Sequence, residues 1–232
     1  MTSYPYPLIP TPPGDWKNDI YDLHAIRMAA IHNIFIRAFN SVFYHAPKVG
    51  SKEVPGFMKY CNAIILYTNI TPLKKRPFFQ LWRPNSEKEQ WTETWHSTRK
   101  LCKKIAAKET KYNETDFLSL FRASADILYC HFVDEILAME SSRLKKHFNE
   151  AELQDIENNI DKKAQEIALL WNAPLILVNS DLSFNSWFPP VPAPITFVAR
   201  HVLMNCMGDM WTYGQCDKYM RLKDEFKSMY GL

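Results

Sequence analysis

Apolar residues recur every three to four positions through most of the chain, which predicts a protein built from helices. Between Asp15 and His45, Ile20, His24, Met28, His32, Phe35 and Phe39 make one stripe, with Asp15 as the expected cap and Pro47 as the stop. A second helix is expected from Val54-Pro55, since proline is tolerated in a first turn. It carries Phe57, Met58, Cys61, Ile64, Ile65 and Leu66, and Pro72 should end or kink it. Ser86-Glu87-Lys88-Glu89 has the form of a capping box and opens a third helix reaching Lys108, with Trp91, Trp95, Cys102 and Ile105 as its apolar line. The fourth is expected from Thr115-Asp116 to His147, with Phe117, Leu120, Phe121, Ile127, Leu128, His131 and Ile136 inward.

The two ends differ in kind. Met1 to Gly14 holds five prolines, which remove donors and fix φ, so an extended arm is expected. Glu150 to Trp171 alternates charges and predicts a fifth, more exposed helix. Beyond Asn172-Ala173-Pro174 come a short apolar run (Leu175 to Val178), a polyproline-like strap (Ser186 to Pro194), a last helix (Ile195 to Met207) and an aromatic tail with Trp211, Tyr213 and Tyr219. The expected architecture is all-α and a single structural domain: an arm over 1–14, a four-helix bundle over 15–148, and a helical extension packed on it over 149–232.

Composition adds constraints. A chain of 232 residues with 47% hydrophobic and 23% charged residues can bury one sizeable core. The net charge of +3 is small and its cations are interspersed with acids, which leaves no footprint for nucleic acid. Aromatic residues make up 14% while there are only 6 glycines, a balance suited to helices around a ring-lined interior. The five cysteines show no zinc spacing. Neither a signal peptide nor an apolar run of about 18 residues is present, so a cytoplasmic protein without a membrane partner is expected, and a homo-oligomer is compatible with the pattern.

Candidate chemistry sits on the predicted stripes. His131 and Glu135 lie four apart on one helix face, where an imidazole and a carboxylate can share a metal or form an acid/base pair. His32 interrupts an apolar stripe, and Thr92 and His96 are four apart on the third helix. Meeting inside a bundle, these would form a polar island in an aromatic core. The competing reading is a satisfied core histidine at His32, a surface pair at His131–Glu135, and a solvated His96 beside Glu93, Arg99 and Lys100.

Leu23-His24-Ala25-Ile26-Arg27-Met28-Ala29-Ala30-Ile31-His32-Asn33 resembles the first-helix motif of fungal haemerythrin-like (HHE cation-binding) proteins. Thr92-Glu93-Thr94-Trp95-His96 is similar to their third-helix motif with its first histidine replaced, and His131-Phe132-Val133-Asp134-Glu135 to their fourth. Asn179-Ser180-Asp181, the Phe188-Pro189-Pro190 strap and Trp211 through Asp217 resemble their C-terminal extension. The resemblance implies a metal-binding four-helix bundle, but the second helix departs from it. Anchored on Phe78-Phe79, it puts Ile70 and Thr71 at histidine positions and Lys74, Lys75 and Arg76 at glutamate positions. Cations in place of bridging carboxylates repel a metal by at least about 1 kcal/mol each at close range, even in water. Pro72 and Pro77 also disrupt the helix that would aim ligands.

The resemblance thus implies a haemerythrin-like bundle without its di-metal centre or any other cofactor. What remains is a cavity for a largely apolar small molecule with a few oxygens. Its fungal members are associated with specialised metabolism, so the expected function is a cofactor-free cyclase or isomerase of a polyketide or terpenoid intermediate, a Diels–Alder-type closure being one candidate. His32 and His131 would act as donors or acid/base groups, Glu135 would orient His131, and His96 and Lys74 are further candidates. His24, Met28, Phe35, Phe39 and Tyr67 would line the substrate pocket, as would Trp91, Thr92 and Trp95. The alternatives are a non-catalytic metabolite-binding or accessory protein, and a protein binding a single metal ion.

Overall fold

The computed structural model describes residues 4–70, 85–167, 173–184, 186–189, 192–206 and 208–232. The first helix, α1 (Ile20–His45), begins four residues later than the sequence suggests. Its cap is Asp19, whose carboxylate accepts the Tyr21 N–H at 2.8 Å. Asp15 is spent on the preceding turn, where its backbone carbonyl accepts the Asn18 and Asp19 N–H groups. From His24 to Phe43, α1 is buried on every side except at Arg27 and Ile31, which are half-buried. A helix covered all round is a central element rather than one face of a bundle.

The N-terminal arm supplies part of that cover. Asn33 and Asn40, two turns apart on α1, each clasp the arm in both directions. Asn40 accepts the Tyr6 N–H at 2.8 Å and donates to the Tyr6 carbonyl at 2.9 Å. Asn33 does the same with Ile9, at 2.8 and 2.9 Å. The two side-chain amides supply backbone-like partners to a proline-rich extended segment that has few of its own.

α2 (Val54–Ile70) packs on α1 and on α3 (Asn85–Ala106), α3 packs on α4 (Glu114–Ala138), and α4 packs on α1, so the four long helices close on one another. Phe39, Phe57, Trp95, Phe117, Phe121 and Phe132 fill the space between them with no exposed surface. Each such ring contributes roughly 1.5–3 kcal/mol through burial. Among the described residues no strand forms, and the one β pairing is an isolated bridge between Cys216 and Leu222. No described helix is long and apolar enough to cross a membrane.

The fourth helix does not run to His147. It stops at Met139, whose N–H reaches both Glu135 O and Ile136 O, and Glu140 then turns extended. The break lets α5 (Ser141–His147) fold back on α1 and seal Ala25, Met28, Met139, Leu144 and Leu153 into a second apolar cluster. α6 (Glu150–Ile167) opens with a reciprocal box: Asn149 Oδ1 accepts the Glu152 N–H at 3.0 Å, and Glu152 Oε2 accepts the Asn149 N–H at 2.9 Å. This helix also packs on α1, burying Leu153 and Glu157.

The extension past α7 (Ala173–Leu177) includes α8 (Ala193–Val198), a π-helical turn over Ala199–Leu203 and a 3-10 turn over Gly208–Tyr213. It is pinned to the long helices by polar side chains. The Tyr60 hydroxyl donates to Asn179 Oδ1 at 3.1 Å, Arg37 Nη2 lies 3.4 Å from Asp181 Oδ2, and the Ser41 hydroxyl donates to the Tyr213 carbonyl. Gly214 passes so close to Val178 that a Cβ would lie 2.4 Å from the valine Cβ and 2.6 Å from its carbonyl oxygen. Gly214→Ala is therefore expected to cost about 2 kcal/mol through overpacking and to lower Tm by about 6 °C. Gly56→Ala, whose nearest neighbour would be 3.8 Å away, should be neutral or stabilising in thermal melts.

Candidate functional site

The packing of α1 on α4 brings three of the sequence candidates together. His131 and Glu135 share a face because they are one turn apart, and His32 reaches the same carboxylate from α1. His32 Nε2 lies 3.0 Å from Glu135 Oε2, and His131 Nε2 lies 3.6 Å from the same oxygen. The side chains of His32, Glu135 and His131 are only 1%, 4% and 9% exposed. A carboxylate taken this far from water costs several kcal/mol unless charge or hydrogen-bond partners compensate, and the two imidazoles face it at that range.

The surroundings are aromatic. The His32 ring lies flat on Phe132, with centroids 4.2 Å apart and planes 19° from parallel. Phe132 continues to Phe35 at 5.8 Å and to Phe39 at 6.2 Å, and Tyr67 stands 5.2 Å from Phe35. Burial pushes the Tyr67 phenol up to about 12, which keeps it a hydrogen-bond donor at neutral pH. Trp95 sits between Phe39 and Phe121, at 6.0 and 5.4 Å, and its buried indole N–H has no acceptor among the described residues.

Other candidates stand elsewhere. His96 is exposed on α3, together with Glu93 and Lys100. The inward line of that helix is Trp95, Thr98, Cys102 and Ile105, so His96 occupies the water face of an amphipathic helix and is no part of the buried trio. Lys74 lies outside the described residues, as do the side chains of Trp91 and Thr92. His24 joins a different cluster. Its Nδ1 is 2.9 Å from Glu157 Oε1, and Arg27 Nη1 pairs with Glu157 Oε2. Met28, on the next turn, packs in the apolar cluster sealed by α5. Burial alone would raise the Glu157 carboxyl, but the His24 hydrogen bond and the Arg27 charge outweigh it and hold the group below the ordinary carboxylate range.

Reading α6 as merely more exposed missed Glu157, and a signal for it was present. Leu153, Ile156, Glu157 and Ile160 fall at three-to-four spacing, so the carboxylate stands in the apolar stripe of a charged helix.

The described residues do not fit the di-metal centre that the resemblance to haemerythrin-like proteins implies. Such a centre requires several carboxylates, and the trio supplies Glu135 alone. No group of three or more His, Cys, Asp or Glu among the described residues, this trio included, is arranged to hold a metal ion.

No family model and no solved structure matches the chain. It is similar to a protein of Cryptosporiopsis sp. (strain 8999) described as "Dimeric xanthone biosynthesis cluster protein R11", with 24% identity over 231 residues, covering 92% of this chain and 87% of that protein.

Proposed function

We propose that this chain serves fungal specialised metabolism as a cofactor-free cyclase or isomerase, acting on an oxygenated polyketide intermediate inside a metal-free, haemerythrin-like bundle. The observation that carries the reading is the buried Glu135 carboxylate facing two imidazoles, from His32 and His131, beside a wall of aromatic rings. The similarity to a protein of a xanthone biosynthesis cluster supports the substrate class, since xanthones are aromatic, phenol-bearing polyketides. The closed set of α1 to α4 supports the bundle.

The chemistry asks little of the protein. Aromatic walls hold a flexible substrate in its reactive fold and reduce the entropy lost on the way to the transition state. An imidazole held by Glu135 donates to a carbonyl as charge moves onto oxygen, and the second imidazole can take a proton from carbon. Cyclisation or isomerisation returns what it borrows, so no net proton, electron or co-reactant is consumed. The Trp95 indole is a further donor for substrate oxygens.

The test uses the intermediate that accumulates when the gene is deleted, incubated with purified protein. His32→Ala and His131→Ala should each lower turnover about 100-fold, the usual scale for losing an acid/base group. Unchanged turnover in both variants defeats the catalytic reading. Binding of the intermediate without conversion by the natural protein would make it a carrier or accessory protein. Elemental analysis should find no stoichiometric metal, and an equivalent of iron, zinc or manganese per chain would overturn the cofactor-free reading.

A further inference from the structure

A cleft of about 440 Å³ opens in the C-terminal extension, between Val178 at the end of α7 and the turn that carries Trp211. Val178, Trp211 and Cys216 line it and are each at most 4% exposed, while Arg200, Lys218 and Lys223 bring three cations to it. The cations are placed by backbone. Arg200 Nε donates to the Lys218 carbonyl at 2.8 Å, and Lys223 Nζ donates to the carbonyls of Thr212 and Gly214, both at 2.6 Å. These contacts fix the two side chains while leaving the Arg200 Nη groups and one Lys223 N–H for a ligand.

Two acids also line the cleft, but one is already matched. Asp217 Oδ1 accepts the N–H groups of Tyr219 and Arg221 at 2.8 and 3.0 Å, and Asp217 Oδ2 accepts Arg221 Nε at 2.7 Å. Asp209 alone then stands against three cations, and the cleft favours an anion. A second, independent observation points the same way. Trp211, one of the lining residues, keeps its indole N–H buried with no acceptor among the described residues, an expensive state for a donor.

We propose that this cleft binds a small aromatic carboxylate, with the carboxylate held by Arg200, Lys218 and Lys223 and the ring against Trp211, Val178 and Met204. An Arg guanidinium matches a planar carboxylate through two parallel hydrogen bonds. The volume exceeds what a simple inorganic anion fills, and the apolar side of the cleft would stay wet around such an ion. The site is separate from the His32–Glu135 pair and does not depend on what that pair does.

Salicylate is the probe, titrated calorimetrically into the full chain. The expected result is one site per chain with Kd in the high micromolar to millimolar range, weakened about tenfold in Arg200→Ala and in Lys218→Ala. His32→Ala should bind salicylate as the natural protein does. Neutral benzamide should not bind, and inorganic phosphate should not displace salicylate at equal concentration. Absence of salicylate binding overturns the proposal, as does affinity unchanged in both cation variants, or binding lost in His32→Ala. Equal binding of benzamide removes the role of charge, and equal competition by phosphate removes the role of the ring; either result overturns it. Arg200 and Lys218 are not buried, so loss of binding in these variants does not arise from unfolding, and a thermal melt verifies this.

Discussion

Glu135→Gln is expected to lower kcat about 100-fold while changing KM less than about threefold. Glutamine keeps the shape of the side chain and one acceptor oxygen but removes the negative charge that faces His32 and His131. On the proposed function Glu135 acts through the imidazoles rather than on the substrate, as a positioning residue, and its loss should carry a signature that simple destabilisation would not. Without the carboxylate the imidazoles lose the group that orients them, so the loss should fall on kcat rather than KM. Glu135→Asp, which retains the charge at a shorter reach, should restore part of the rate. Because neutral imidazoles can remain in the apolar site, the melting temperature should change little. A kcat within twofold of the natural protein, or no recovery in Glu135→Asp, would show that the trio is only a satisfied core cluster.

How far the sequence led to this trio depends on how local each contact is. His131 and Glu135 could be paired in advance because a helix puts residues four apart on one face, whatever packs against it. His32 could be named from its place in an apolar stripe, but its contact with Glu135 depends on the packing of α1 against α4, which spacing along one helix cannot express. His96 stands apart from the trio for the opposite reason. Position 96 is also four before Lys100 and three after Glu93, and all three residues face water. The helices themselves were legible from periodicity, including the proline-tolerant start of α2 at Val54.

What escaped was polar and tertiary. Asn33, Arg37, Asn40 and Ser41 lie outside the apolar stripe of α1, yet each is buried by the N-terminal arm or the C-terminal extension. Their partners lie between 24 and 172 positions away in sequence. The break after Ala138 escaped as well. It carries neither proline nor glycine, and the gain that supports it comes from the apolar cluster that α5 closes over α1. Propensity and spacing describe one helix at a time, and these features belong to pairs of elements.

Glu157→Gln is expected to cost about 3 kcal/mol and to lower Tm by about 9 °C. The carboxylate is buried between His24 and Arg27, and glutamine leaves the guanidinium charge in place without its counter-charge. The cost stays at the low end of the range for broken buried pairs because glutamine keeps an acceptor oxygen for the Arg27 guanidinium. Replacing the set together, with His24→Leu, Arg27→Met and Glu157→Leu, should recover most of the loss, since an apolar cluster of similar volume avoids desolvating charge. The acid limb of stability separates this effect from that of His45. Burial, with Lys223 and Lys48 nearby, lowers the His45 imidazole from 6.5 to about 4, so the unfolded chain takes up its proton first. Stability tied to His45 is complete above about pH 6.5 and is lost as pH falls toward 4. Glu157 is also held below its unfolded value of 4.5, so its contribution is complete above that pH and is lost only as pH falls further. Urea unfolding of Glu157→Gln should therefore run parallel to the natural protein between pH 6.5 and 5, offset downward, and converge with it below 4.5. Convergence already in the upper window would mean that the His24–Arg27–Glu157 cluster contributes no charge-dependent stability.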